Sequence, residues 1–119
     1  MAQYLPVFRP GDTVTFNVTT AVTGGHPVQL GTADRSVAPA AAASTTYVGV
    51  AGHDAAVGDK VTVELGKPVH SLVALGAVAR GSKVEAAGAG KIRTATTGTA
   101  IGLALTSAAD GAAVEVLQF

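Results

Sequence analysis

Three histidines and their neighbours are the obvious places to look for chemistry: His26, the pair His53-Asp54 and the pair His70-Ser71. An imidazole beside a carboxylate or hydroxyl can serve acid–base or nucleophilic catalysis if nucleophile, base and orienting group come within hydrogen-bond reach. His53-Asp54 falls in a small-residue turn, where adjacent side chains rarely orient one another, so a solvated turn is the expected role. His26, between Gly24-Gly25 and Pro27, reads as a loop residue. His70-Ser71 neighbours a strand but lacks the Gly-x-Ser-x-Gly elbow that presents a nucleophile. No catalytic residue is assigned, and the chain is not expected to be an enzyme.

Other chemistries are as poorly served. No His-x-x-x-His or His-Glu-x-x-His spacing occurs, Asp12, Asp34, Asp54, Asp59 and Asp110 are dispersed, and Cys is absent, so no metal site or disulfide is expected. None of the four Lys is followed by Ser or Thr, and no Gly-x-Gly-x-x-Gly opens a helix, so the 15 Gly read as turn residues and no cofactor is expected. Eight basic residues balance eight acidic ones, which removes the field that draws nucleic acid or an anionic membrane. Nothing approaches 18 uninterrupted apolar residues, so no spanning helix is expected, and MAQYLPVFRP lacks the features of a signal peptide.

What is left is surface. Arg80, Lys83, Lys91 and Arg93 fall within fourteen residues and would share an edge if their strands pair as a hairpin. They read as a solvated edge that discourages sheet-to-sheet aggregation, or as a contact patch for an acidic protein surface. Residues 1–10 form an extended arm carrying Tyr4, Leu5, Val7, Phe8 and Arg9, with Pro6 and Pro10 opposing helix. The arm is either a first strand packed in the domain's own core or an apolar latch onto a partner. Phe119 is a second terminal anchor of the same kind.

These residues are positioned by a scaffold that repeats. Val48–Leu65 returns without a gap as Ile101–Gln118, with seven of eighteen positions identical: Gly49/Gly102, Ala51/Ala104, Ala55/Ala108, Ala56/Ala109, Gly58/Gly111, Val61/Val114 and Val63/Val116. Period-2 alternation on both sides of a Gly-bearing connection makes each copy a β-hairpin. The second copy carries Thr106-Ser107 where the first carries His53-Asp54, so that pair is not part of the shared framework. A Gly-x-x-Val motif opens strands at Gly11, Gly58, Gly81 and Gly111.

The strand with the clearest pattern is Thr13–Val18, with Val14, Phe16 and Val18 on one face. Leu75–Arg80 fits a strand or a short helix, and Pro39–Thr46, PAAAASTT, reads as a mobile or ligand-ordered loop. The expectation is an all-β sandwich or barrel of about eight short antiparallel strands, with an arm (1–10) and one β domain (11–119) containing the two hairpin units. Its 24 Ala inflate the hydrophobic fraction, and 17 Val and 14 Thr supply the bulk. A core of Val and Ala buries little area per residue, so added stability from self-association or from a bound surface is expected.

Pro10-Gly11-Asp12-Thr13-Val14 after a short arm, the Val48–Val63 segment and the closing Ile101–Val116 segment together resemble the capsid cement, or head decoration, proteins of tailed bacteriophages. The resemblance implies a non-catalytic virion protein, made in the host cytoplasm, that binds the outer surface of the assembled capsid and stabilises it. It further implies the major capsid protein as partner, self-association as a homotrimer, and no role for nucleic acid or membrane. Two other readings stand beside it. One is a non-catalytic display module on a phage tail or surface recognising carbohydrate or protein, against which the absence of Trp and the presence of only two Tyr weigh. The other is a small hydrolase using His70 or His53, against which the missing motifs weigh.

Overall fold

Valine alternating with threonine, alanine or charged residues builds ten strands in the computed structural model, which describes residues 12–119. They are β1 Thr13–Val18, β2 Pro27–Leu30, β3 Ser36–Pro39, β4 Tyr47–Ala51, β5 Lys60–Glu64, β6 Val69–Ala74, β7 Lys83–Gly88, β8 Lys91–Thr94, β9 Gly102–Ala104 and β10 Ala113–Gln118. Strands β1–β5 close one barrel in the order β1-β3-β2-β4-β5, and β6–β10 close a second in the order β6-β8-β7-β9-β10. The expected all-β barrel architecture is present, in two copies. The arm lies outside the described residues.

The second barrel repeats the first strand for strand. β1 pairs β5 antiparallel and β3 parallel, as β6 pairs β10 and β8. The isolated bridge Val22–Ala55 returns as Val78–Ala108. The repeat visible in the sequence is therefore the last part of a duplication spanning the described chain. Its earlier part is masked because the offset drifts, from 56 residues at β1/β6 to 55 at β3/β8 and 53 at β5/β10.

Each of the seven identities has a structural reason. Val61, Val63, Val114 and Val116 point into the barrels and are at most 1% exposed, with Ala51 and Ala104 beside them. Ala55 and Ala108 make the bridges, and Ala56 and Ala109 supply the carbonyls that accept the turn bonds from Asp59 and Ala112. Gly58 and Gly111 hold φ of 87° and 79°, left-handed values that cost other residues energy. At Gly49 a Cβ would run into the Glu64 carbonyl, and at Gly102 into Val116 and the Leu117 carbonyl, so each glycine lets the strand that closes the barrel approach. The Gly-x-x-Val motif has one more member than the sequence suggested: Gly25, with φ 81°, precedes fully buried Val28 as Gly81 precedes Val84.

The structure departs from the sequence reading in three places. The described residues form ten strands rather than about eight, and each barrel has one parallel pairing of only two residue pairs, too short to leave a sequence pattern. Leu75–Arg80 is neither strand nor helix but a turn carrying the Val78 bridge. The PAAAASTT segment is held by the second barrel: the Ala43 N–H donates to the Ala86 carbonyl at 2.8 Å, the Thr99 N–H donates to the Ser44 carbonyl, and Ser44 is buried. Ala43 takes a φ of 55° to reach that position.

Two apolar cores result. Val18, Val22, Val28, Val37, Ala51, Val61 and Val63 fill the first barrel. Leu72, Ala74, Val78, Val84, Ile92, Ile101, Ala104, Val114 and Val116 fill the second, joined by Val50 from the first. Five short strands enclose little volume, which small and medium side chains, mostly valine and alanine, occupy.

Candidate interaction surface

The histidine pairs resolve into loop chemistry. Asp54 Oδ1 accepts the Gly24 N–H at 2.8 Å, and His53 Nε2 accepts the Thr62 N–H at 3.3 Å. In the second barrel Ser107 Oγ accepts the Arg80 N–H and Thr106 Oγ1 accepts the Glu115 N–H. These are the same two bonds at corresponding positions, so His-Asp and Thr-Ser are interchangeable acceptors that fasten the turn. The sequence shows that the residue types change; only the structure shows that their task does not.

His70 and Ser71 are consecutive on β6 and therefore face opposite sides of the sheet, which rules out a dyad. His70 Nε2 lies 3.1 Å from Gln118 Oε1, and since that oxygen can only accept, this nitrogen carries the proton. Gln118 is 2% exposed and ties the two barrels together. Its Oε1 also accepts from the Tyr47 hydroxyl at 2.7 Å, and its Nε2 donates to the carbonyls of Glu64 and Gly66 at 3.2 and 2.8 Å. Burial pushes the Tyr47 hydroxyl up from its ordinary pKa. His26 also serves the contact between barrels, its imidazole packing where a Cβ on Gly90 would sit.

Glu85 is the buried charge that sequence reasoning missed. It is 0% exposed on β7; Oε1 accepts the Thr96 and Gly98 N–H groups at 2.6 and 3.0 Å, and Oε2 is paired with Arg93 at 2.9 Å. The Thr96 bond, helped by those from Gly98 and Arg93, outweighs desolvation and lowers the carboxyl from 4.5 to about 2. The first barrel has Gln29 at the corresponding place, accepting the Ala41 N–H at 3.0 Å. One bond type thus folds each β3–β4 or β8–β9 loop back over the sheet, and the carboxylate in the second copy brings its own cation. The available signal was the Glu85↔Arg93 register of the β7–β8 hairpin.

That hairpin exists as expected, but it distributes the four basic residues. Lys83 and Lys91 stand at opposite ends of it, Arg93 is committed to Glu85, and exposed Arg80 sits in the loop before β7. Phe119 is 50% exposed. Tyr4, Leu5, Val7, Phe8 and Arg9 lie outside the described residues. No group of three or more His, Cys, Asp or Glu able to hold a metal occurs among the described residues, and no helix there is long and apolar enough to cross a membrane.

The outward faces of the two barrels differ. On the first, Thr13, Thr15 and Asn17 of β1 stand opposite Glu64, Thr62 and Lys60 of β5, and the Lys60 ammonium donates to Asn17 Oδ1. On the second, Val69, Ser71 and Val73 of β6 stand opposite Leu117, Glu115 and Ala113 of β10. The row through Leu117 continues to Leu103 on β9 and Lys83 on β7. Val69, Val73 and Leu105 are 52%, 40% and 38% exposed. The first face is thus polar, while the second mixes Val69, Val73, Leu103 and Leu117 with Ser71, Glu115, Lys83 and, beside Val73, Lys91.

Three comparisons with known proteins bear on this arrangement. No curated protein matches the chain. A solved structure described as the crystal structure of the head fiber gp8.5 N base in bacteriophage phi29 shares the fold, with a TM-score of 0.69 at 19% identity over 90% of this chain and 92% of that one. The family model described as phage cement protein matches residues 8–118, nearly the whole sequence. The chain therefore belongs to the phage cement protein family, as a structural, capsid-associated phage protein.

Proposed function

We propose that the chain binds the outer surface of an assembled phage capsid as a homo-oligomer, a trimer by family resemblance. It stabilises the shell by bridging neighbouring copies of the major capsid protein, with no chemistry of its own. The family match over residues 8–118 carries this reading. It is supported by the use to which the chemically capable side chains are put. His53, Asp54, His70 and Glu85 are engaged in holding turns and the junction between barrels. Binding to a lattice adds stability by mass action, which suits cores built of valine and alanine. The carbohydrate-binding alternative gains nothing from the structure: Tyr47 is turned inward onto Gln118, and Phe119 is the one exposed large aromatic among the described residues.

Within this reading the apolar arm, Tyr4, Leu5, Val7, Phe8 and Arg9, is the segment that grips the shell, with Phe119 as a second anchor. Co-sedimentation of the purified protein with assembled capsids of its own phage tests the proposal. The full chain is expected to pellet with capsids and raise the temperature at which they rupture. A chain lacking residues 1–9 is expected to keep its circular dichroism spectrum and melting behaviour and to lose most of its capsid binding. Undiminished binding by the truncated chain would remove the arm from the account, and failure of the full chain to pellet would remove the function.

A further inference from the structure

We propose that the groove at the junction of the two barrels holds the root of the N-terminal arm, with Arg9 paired to Glu64, and that this contact aims the arm's apolar residues along the row beginning at Val69. The proposal rests on the capsid-gripping role given to the arm above and names what orients it. The first argument is reach. The described chain starts at Asp12, and Asp12 is itself a wall of a groove of about 260 Å³ whose other walls are Glu64, Gly66, Lys67 and Pro68. One water's share of liquid is about 30 Å³, so the groove has room for a long side chain. Arg9 lies three residues before Asp12, a backbone span of at most about 11 Å. The tether therefore keeps the guanidinium within reach of the groove at high effective concentration.

The second argument is charge. The groove carries two carboxylates, Asp12 and Glu64, and one ammonium, Lys67. Glu64 is half-buried, and neither its side chain nor that of Asp12 forms a hydrogen bond or ion pair among the described residues. The next cation along β5, Lys60, donates to Asn17 near the other end of β1. One more cation balances the groove, and Arg9 is the one charged side chain of the arm. Its planar fork of donors suits carboxylates better than a single ammonium does. The third argument is the duplication. β1 and β6 are offset by 56 residues and β5 and β10 by 53, so Arg9 and Glu64 correspond to Leu65 and Leu117. Both positions are apolar in one copy, and in the other they are a cation and an anion, so the pair changes character together. Leu65 packs half-buried against the first barrel's core, which holds down the chain as it enters β6. Val69 follows Pro68 directly, is 52% exposed, and opens the row Val69–Leu117–Leu103. An arm rooted on Glu64 passes Phe8 toward that row, so that arm and row make one apolar strip.

The test uses the full chain, first without capsids. Cys is absent, so a nitroxide on Val7→Cys has one attachment point. It is expected to broaden the amide NMR signals of Lys67, Val69 and Leu117. Glu64→Arg is expected to reduce that broadening at least twofold, and adding Arg9→Glu to restore it. Melting is expected to stay unchanged throughout, since a half-exposed ion pair adds little stability. Should Glu64→Arg not fold, Glu64→Gln keeps the shape, removes the charge and is expected to reduce the broadening in the same direction. In co-sedimentation, Glu64→Arg is expected to weaken capsid binding at least fivefold and the swapped pair to recover it. Broadening that is absent, indifferent to the charge at position 64, or not restored by the swap overturns the proposal. So does undiminished capsid binding by a variant whose arm has come loose, and in that case the function proposed above stands. A chain that obeys the charge swap in the NMR measurement yet ignores capsids contradicts that function and leaves the docking of the arm standing.

Discussion

At the scale of single residues, two buried polar groups hold parts of the fold that valine and alanine cannot. Glu85 satisfies two backbone N–H groups and Arg93, so Glu85→Ala leaves donors unpaired and is expected to cost about 2–3 kcal/mol in urea unfolding at pH 7. Because its folded-state pKa is lowered to about 2, its contribution is fully present above the ordinary value near 4.5 and is lost as pH falls from there through 2. Glu85→Gln, which copies Gln29 of the first barrel, is expected to be less stable than wild type at neutral pH and to narrow that gap at acid pH. A gap that stays constant between pH 7 and 2.5 would contradict this account. Gln118 uses both faces of its amide, which makes Gln118→Glu informative. The carboxylate cannot donate to the Glu64 and Gly66 carbonyls, and a loss of about 2–4 kcal/mol is expected from the same measurement.

At the scale of elements, barrel closure depends on glycines that act by two different mechanisms. Gly102→Ala inserts a Cβ against Val116 and the Leu117 carbonyl and is expected to destabilise by about 1–3 kcal/mol through overpacking. Gly58→Ala meets no atom within 4 Å but must hold a φ of 87°, so the expected cost is about 1–2 kcal/mol from backbone strain alone. Thermal melts of the two variants check both values; a neutral Gly102→Ala would mean that β9 and β10 can separate without loss. The hairpins β4–β5 and β9–β10 were legible because their inward Val and turn Gly recur at one fixed offset. The matching of β1–β3 with β6–β8 was not, since loop lengths shift the offset and unlike residues fill equivalent places, as with Gln29 and Glu85. His53-Asp54 and Thr106-Ser107 make the same point, because acceptors of different chemistry can receive the same backbone N–H.

At the scale of the whole molecule, duplication separates the duties of the two halves. Both keep a closed scaffold, while their outward β1–β5 and β6–β10 faces diverge, polar on the N-terminal barrel and mixed apolar and charged on the C-terminal one. The sequence indicated an all-β barrel and a capsid-associated family from its glycine, valine and Pro-Gly-Asp patterns. It could not indicate the mixed face, which emerges only when three strands distant in sequence, β6, β9 and β10, are laid side by side. The central claim is that this chain is an external cement whose side chains serve assembly rather than catalysis. A density map of the assembled particle tests it most directly. The account predicts copies of the double barrel clustered on the outer shell, in contact across neighbouring capsid subunits. A chain located inside the shell, on the tail, or absent from the mature particle would contradict it.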